Sequence, residues 1–204
     1  MGCFDLSEKG IVGLSDPSGL FLSRHAQPVP GTCVCVTLEG RRPLVTEVQA
    51  LVAPPTAGHP RRATSGVDGS RVAMVLAVLE RRAGTRLAAN DVYVSSVGGA
   101  RLAEPACDLA VALAVAGAAI DRPLAPGTIA IGEVGLAGEV RPVAGVGRRL
   151  AEAARLGFST AFVPVGSAEA APVPAGMAVH EVPDLLTALS RAAFPPVTRN
   201  GDTP

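Results

Sequence analysis

Residues 101–117, RLAEPACDLAVALAVAG, and residues 132–164, GEVGLAGEVRPVAGVGRRLAEAARLGFSTAFVP, decide how this chain is read. Pro105 is placed to open a helix, because a proline at the first helical position gives up an N–H that has no partner there and brings a preset φ. The residues after it are apolar almost without break to about Ile120, so a long, nearly all-apolar helix is expected. Glu104 and Asp108 flank its start, where the helix dipole favours negative charge, and both are expected to stabilise that end. The second stretch reads as a strand near 139–143, a helix near 147–156 and a strand near 160–163.

Outward from there the pattern keeps alternating. Thr32 onward, CVCVTLEGRRPLVTEVQALV reads as a hairpin turning around Glu39-Gly40-Arg41-Arg42. Residues 54–68, rich in Pro, Gly, Thr and Ser, read as a surface loop. Asp68 caps a helix over 69–82, whose apolar run Val72 to Leu79 looks too continuous for a side open to water, and Gly84 stops it. Strands follow near 91–97 and 128–131, then near 178–181, with a last helix near 184–193. The fold class is α/β with a mixed sheet and packed helices. Residues 1–26 read as a lead-in segment with a helical turn from Asp16-Pro17 to Phe21, 27–194 as the domain, and 195–204 as a disordered tail.

Composition narrows the function. Hydrophobic residues make up 48% and charged residues 18% of 204, a folded body large enough for its own core. With one Tyr, five Phe and no Trp, the core is built from Ala, Val and Leu, and a stacking platform for bases is not expected. The start MGCFDLSEKG has no secretory pattern, and the longest apolar run falls short of the ~20 residues of a membrane span; a cytoplasmic protein without membrane contact is expected. Cys3, Cys33, Cys35 and Cys107 form no metal-ligand spacing and read as small buried side chains. Net charge is zero, yet residues 40–102 hold nine Arg against four acidic residues, a bias that suits a polyanion or a subunit contact.

The two opening stretches, in that order, resemble the peptidase domain of Lon proteases. With DPSGLFLSR from Asp16, EGRRPLVTEVQALV from Glu39, PRRATSGVDGSRV from Pro60, MVLAVLERRAG from Met74 and DVYVSSVGG from Asp91, the chain resembles the C-terminal Lon-like domain of the RadA (Sms) family over roughly residues 11–164. The resemblance implies the Lon proteolytic-domain-like fold, also described as ribosomal protein S5 domain 2-like. Lon places a serine nucleophile and a lysine base where this chain has Ala106 and Gly147, and the one lysine here is Lys9. A Ser/Lys dyad therefore cannot be assembled, and no enzyme activity is expected of these residues. The resemblance further implies a hexameric ring of copies, contact with single-stranded or branched DNA, and a role in ATP-driven branch migration during recombination. It places ATP, Mg and Zn only in domains upstream of GCFDL, so no cofactor is expected here and Met1 is expected to be an added or replaced start.

Cys107, next to Ala106, lies in a helical first turn that can acidify a thiol, but one residue turns a side chain by about 100°, and His25, His59 and His180 stand in no motif beside it. A residual hydrolase using Cys107 is the weaker alternative. GEVGLAGE from Gly132 lacks the GKS or GKT ending of a P-loop. The candidates for DNA or subunit contact are Arg61 and Arg62 on the loop, Arg41 and Arg42 at the hairpin turn, and Arg71, which needs a carboxylate such as Asp68 or a subunit neighbour. An interaction module that never touches DNA is the third reading.

Overall fold

The computed structural model describes residues 3–7, 10–14, 21–23, 27–55, 58–192 and 194–195. Twelve residues of β4 (Arg42–Ala53) run antiparallel to β3 (Thr32–Glu39) across a tight turn, with Glu39 opposite Arg42. Gly40 takes φ 62° there, a conformation that most L-residues avoid. β4 also pairs antiparallel with β6 (Asp91–Ser96), and β6 pairs in parallel with β5 (Arg62–Ser65) at the sheet's edge. On the other side β3 is followed by β7 (Thr128–Ala130), β10 (Thr160–Pro164) and β11 (Ala178–Val182), all parallel. The result is a mixed, mainly parallel seven-stranded sheet ordered β11-β10-β7-β3-β4-β6-β5. Two small antiparallel pairs stand outside it: β1 (Cys3–Ser7) with β2 (Gly10–Leu14), and β8 (Glu133–Val134) with β9 (Val140–Arg141).

Strand alternation divides the core in two. Cys33, Cys35 and Val48 face a large cluster with α1 (Gly69–Ala83), α2 (Asp108–Ala119) and α5 (Leu185–Arg191). Val36, Val45 and Ile129 face the opposite side, against Val146, Leu150 and Ala153 of α3 (Val146–Arg155). Every residue of α2 from Asp108 to Gly117 is buried, as its sequence requires. Cys33, Cys35 and Cys107 are free and buried.

Several expectations change. The loop over 54–68 contains β5, and the lead-in contains β1 and β2. The strand expected at 139–143 is two residues long, and a short helix α4 (Ser167–Ala170) was not foreseen. α1 does have a solvent side: its buried residues follow helical spacing, while Ala73, Met74 and Ala77 are exposed. Asp68 caps it through Arg71 N, and Gly84 closes it with φ 68°. The turn expected from Asp16 and the tail beyond Pro195 lie outside the described residues. Among the described residues, no helix is long and apolar enough to cross a membrane.

Candidate functional site

The segment around Ala106 is held from both sides. Pro105–Cys107 form a 3-10 turn that runs straight into α2. The Ala106 carbonyl accepts from Gly132 N at 2.9 Å, and Leu109 N donates to the Gly132 carbonyl at 3.1 Å. Ala106 belongs to the α3 side of the core and Cys107 to the α2 side, so the thiol does not take over the place of a neighbouring hydroxyl. The hydrogen bond between the Cys107 and Cys35 thiols, then burial, push the Cys107 thiol well above its ordinary value, which disfavours a thiolate nucleophile. His180 is stacked on Phe162 at 5.2 Å, and His59 stands on an exposed loop.

Gly147, the second residue of α3, has no room for a side chain. A Cβ built there lies 2.6 Å from the Ala171 Cβ, well inside contact distance. A lysine at this place requires the segment after α4 to move.

What joins the two stretches is an ion pair. Arg149 is 1% exposed, among the largest fully buried side chains. It donates to Glu104 twice, at 2.6 and 2.9 Å, to the Ala144 carbonyl at 3.0 Å and to the Val36 carbonyl. Glu104 also accepts from Leu38 N at 2.8 Å. Burial alone would raise this carboxyl; bonds from Arg149, its charge, and bonds from Thr37 and Leu38 hold it below its ordinary value instead. Asp108 accepts from Arg71 Nε at 2.8 Å and from Val134 N at 3.1 Å, with a second contact to Arg71. Here burial wins and the carboxyl is raised, although Arg71 and Val134 pull it down. Asp108 is the acidic residue of the first turn of α2, as expected, and both acids do more than charge the helix end. Neither is a side-chain cap of the turn; each clamps an arginine from a distant element.

The arginine candidates separate accordingly. Arg71 is engaged with Asp108 inside the chain. Arg62 ties the start of β5 to the loop between α1 and β6 through the carbonyls of Leu87 at 2.8 Å and Asn90, and also donates to the Arg61 carbonyl at 3.2 Å. Arg61 is held by its backbone, its N donating to Asp91 at 2.7 Å and its carbonyl accepting from Val92 N at 2.9 Å, and the residue is exposed. Arg41 and Arg42 are exposed at the β3–β4 turn, where Arg148 of α3 joins them by donating to the Arg41 carbonyl at 3.2 Å. The two pairs do not meet. Arg62 is level with Val52, at the far end of β4 from Arg42, which at ~3.3 Å per residue puts them roughly 33 Å apart. Arg148 and Arg149 were not legible as site residues, since their partners lie 107 and 45 residues away.

The chain is 57% identical over 179 residues to the DNA repair protein RadA of Mycolicibacterium smegmatis, covering 88% of this chain and 38% of that protein. It is 52% identical over 189 residues to RadA of Mycobacterium tuberculosis, covering 93% and 39%, and 41% identical over 179 residues to RadA of Streptococcus pyogenes serotype M1, covering 88% and 40%. The chain is a RadA homologue. It spans about two fifths of the length of the RadA proteins it matches. Residues 74–167 match the family described as subunit ChlI of Mg-chelatase. This block runs from within α1 to the start of α4 and contains residues 101–117 and 132–164. It also corrects one expectation: similarity to a subunit of an enzyme, together with RadA homology, points to an ATPase-related region, and the inference from Ala106 and Gly147 to a chain without enzyme activity does not stand. Those two positions bear only on Ser/Lys chemistry.

Proposed function

We propose that this chain is a Lon-like domain of a RadA-type DNA repair protein, that it holds copies of itself in a hexameric ring, and that its surface arginines touch single-stranded or branched DNA during branch migration. The Lon-like reading is supported by element order: a proline-led buried helix, the β8–β9 hairpin, then α3 and β10. The observation that carries the DNA reading is the corner where Arg148 meets the Arg41-Arg42 turn, three exposed arginine residues gathered from distant sequence. Such groups neutralise phosphates and release counterions, with no call on bases.

Fluorescence anisotropy with labelled single-stranded DNA over a salt series tests this. Each single-strand phosphate contact contributes a slope of about 0.7 in log affinity against log salt, so Arg41→Ala with Arg148→Ala is expected to flatten the slope by about 1.4. Arg61→Ala flattens it less, and Arg71→Met leaves it unchanged. An unaltered slope in the folded double variant overturns the assignment of this corner. Absence of binding by wild type at low salt favours an interaction module without DNA contact, for which the exposed Leu51 and Leu136 speak.

A further inference from the structure

Glu47 is a buried acid that lacks what Glu104 and Asp108 both have, an arginine. The residue is 7% exposed. Its place in β4 sets it opposite Val34, on the side of the sheet that α3 covers further along. Residues 21–23 run beside it: Glu47 N donates to the Phe21 carbonyl at 2.9 Å, and Ser23 donates to Oε2 from its N at 3.1 Å and to Oε1 from its Oγ at 2.7 Å. Gln49 Nε2 reaches both Oε1 at 2.9 Å and Ser23 Oγ at 2.8 Å. All of these donors are neutral. They fix the carboxylate's orientation and leave Oε2 with spare acceptor capacity, but they do not cancel its charge. Among the described residues no cation lies within ion-pair distance of Glu47. A charge held out of water without a counter-charge is costly, so a site that keeps one is suited to receive a cation.

The space beside it has the size and lining for an organic one. Glu47 borders a cavity of about 310 Å³, at the lower end of the range of small-ligand sites. Val29, Val34, Leu124, Pro126 and Phe158 wall it, and Thr32 and Thr128 contribute to its lining. Apolar walls suit methylene groups, and a single carboxylate suits a cation that donates hydrogen bonds. A hard metal ion takes six or more oxygen ligands, and among the described residues no three His, Cys, Asp or Glu side chains come together to hold one.

We propose that this cavity binds an alkylguanidinium or alkylammonium group, its cationic head on Glu47 and its methylenes along Val34, Leu124 and Phe158. The site is separate from the arginine corner and independent of the DNA reading. A free small cation and an arginine side chain of a second copy offer this same chemistry. The probe is n-butylguanidinium, with n-butylurea as its neutral counterpart of like shape, each titrated into the isotope-labelled chain while the amide signals of Ser23, Thr32 and Glu47 are followed. Butylguanidinium is expected to bind ~10- to 100-fold more tightly than butylurea, the effect of a hydrogen bond between charged groups. Glu47→Gln is expected to remove that preference. Val29→Trp, which enlarges an exposed wall residue and leaves the carboxylate in place, is expected to weaken both ligands. Equal affinity for the two ligands, or a preference retained in folded Glu47→Gln, overturns the proposal. Arg24 and His25 follow Ser23 in sequence and lie outside the described residues; a preference that emerges only after both are replaced by Ala means that the chain supplies its own cation, and overturns the proposal as well. With the preference present in wild type, light scattering assigns the source: dissociation of an assembly by butylguanidinium identifies an arginine of a second copy, and an unchanged mass identifies a free small cation.

Discussion

Glu104 and Asp108 stand four residues apart around the start of α2, each gripped by an arginine from a distant element, and their acidities move in opposite directions. Glu104 keeps 28% of its side chain exposed and collects bonds from Arg149, Thr37 and Leu38. Asp108 is 4% exposed, receives Arg71 and Val134 N, and has Glu133 nearby to repel it. The difference teaches that an ion pair's sign of effect is set by the count of donors against the depth of burial, not by the presence of the pair. The exposures of the cations also differ: Arg149 is sealed, while Arg71 keeps 24% of its side chain in solvent.

The comparison breaks most visibly when the acids are removed. Glu104→Ala strands a buried guanidinium with only the Val36 and Ala144 carbonyls, and the expected cost is about 3–5 kcal/mol. Asp108→Ala leaves Arg71 able to turn to water or toward Glu133, 4.0 Å away, so about 1–3 kcal/mol is expected, the value of a bond to a charged group. Urea unfolding midpoints measure both. Equal losses would show that the exposure of the cation does not matter here.

Next in size is a test of the helix that carries Arg149. Gly147→Lys drives a Cβ into Ala171 and is expected to cost about 1–3 kcal/mol by overpacking, partly through the displacement of α3 from Glu104. Adding Ala171→Gly removes the clashing atom and is expected to return most of the loss, a coupling that a double-mutant cycle reads directly. Additive effects would mean that α3 shifts without strain.

Much of this architecture was legible because it is written in local chemistry. Asp68 and Gly84 bracket α1 by capping and by a left-handed φ, Pro105 opens the turn into α2, and Gly40 turns the hairpin. β5 was hidden because its four exposed residues, RATS, carry no apolar alternation, and only parallel pairing to β6 makes them a strand. The site failed to show for a similar reason. Nothing local marks Arg149 as buried or Arg148 as a neighbour of Arg41, and Arg71 seemed available until α2 was packed beside it. Arginine is one residue type with two fates here, and tertiary partners choose between them.

The smallest effect is also the one most specific to the opening contrast, since it concerns sign. Glu104 has a folded-state acidity below its unfolded value, so its ionisation contributes stability that is present above the unfolded value of ~4.3 and is lost as pH falls through the lower, folded one. Asp108 is raised in the fold, so the folded state holds that proton more tightly; its contribution is greatest below the unfolded value of ~3.9 and is lost as pH rises through the folded one. The advantage of wild type over Glu104→Gln is therefore expected to grow from pH 3 to pH 7, and that over Asp108→Asn to shrink, each by less than ~1.4 kcal/mol per pH unit because one proton is at stake. Chemical unfolding at pH steps across that range gives both differences. Two slopes of the same sign would mean that Arg71 and Val134 outweigh the burial of Asp108 after all, and the two ends of this short segment would then be electrostatically alike.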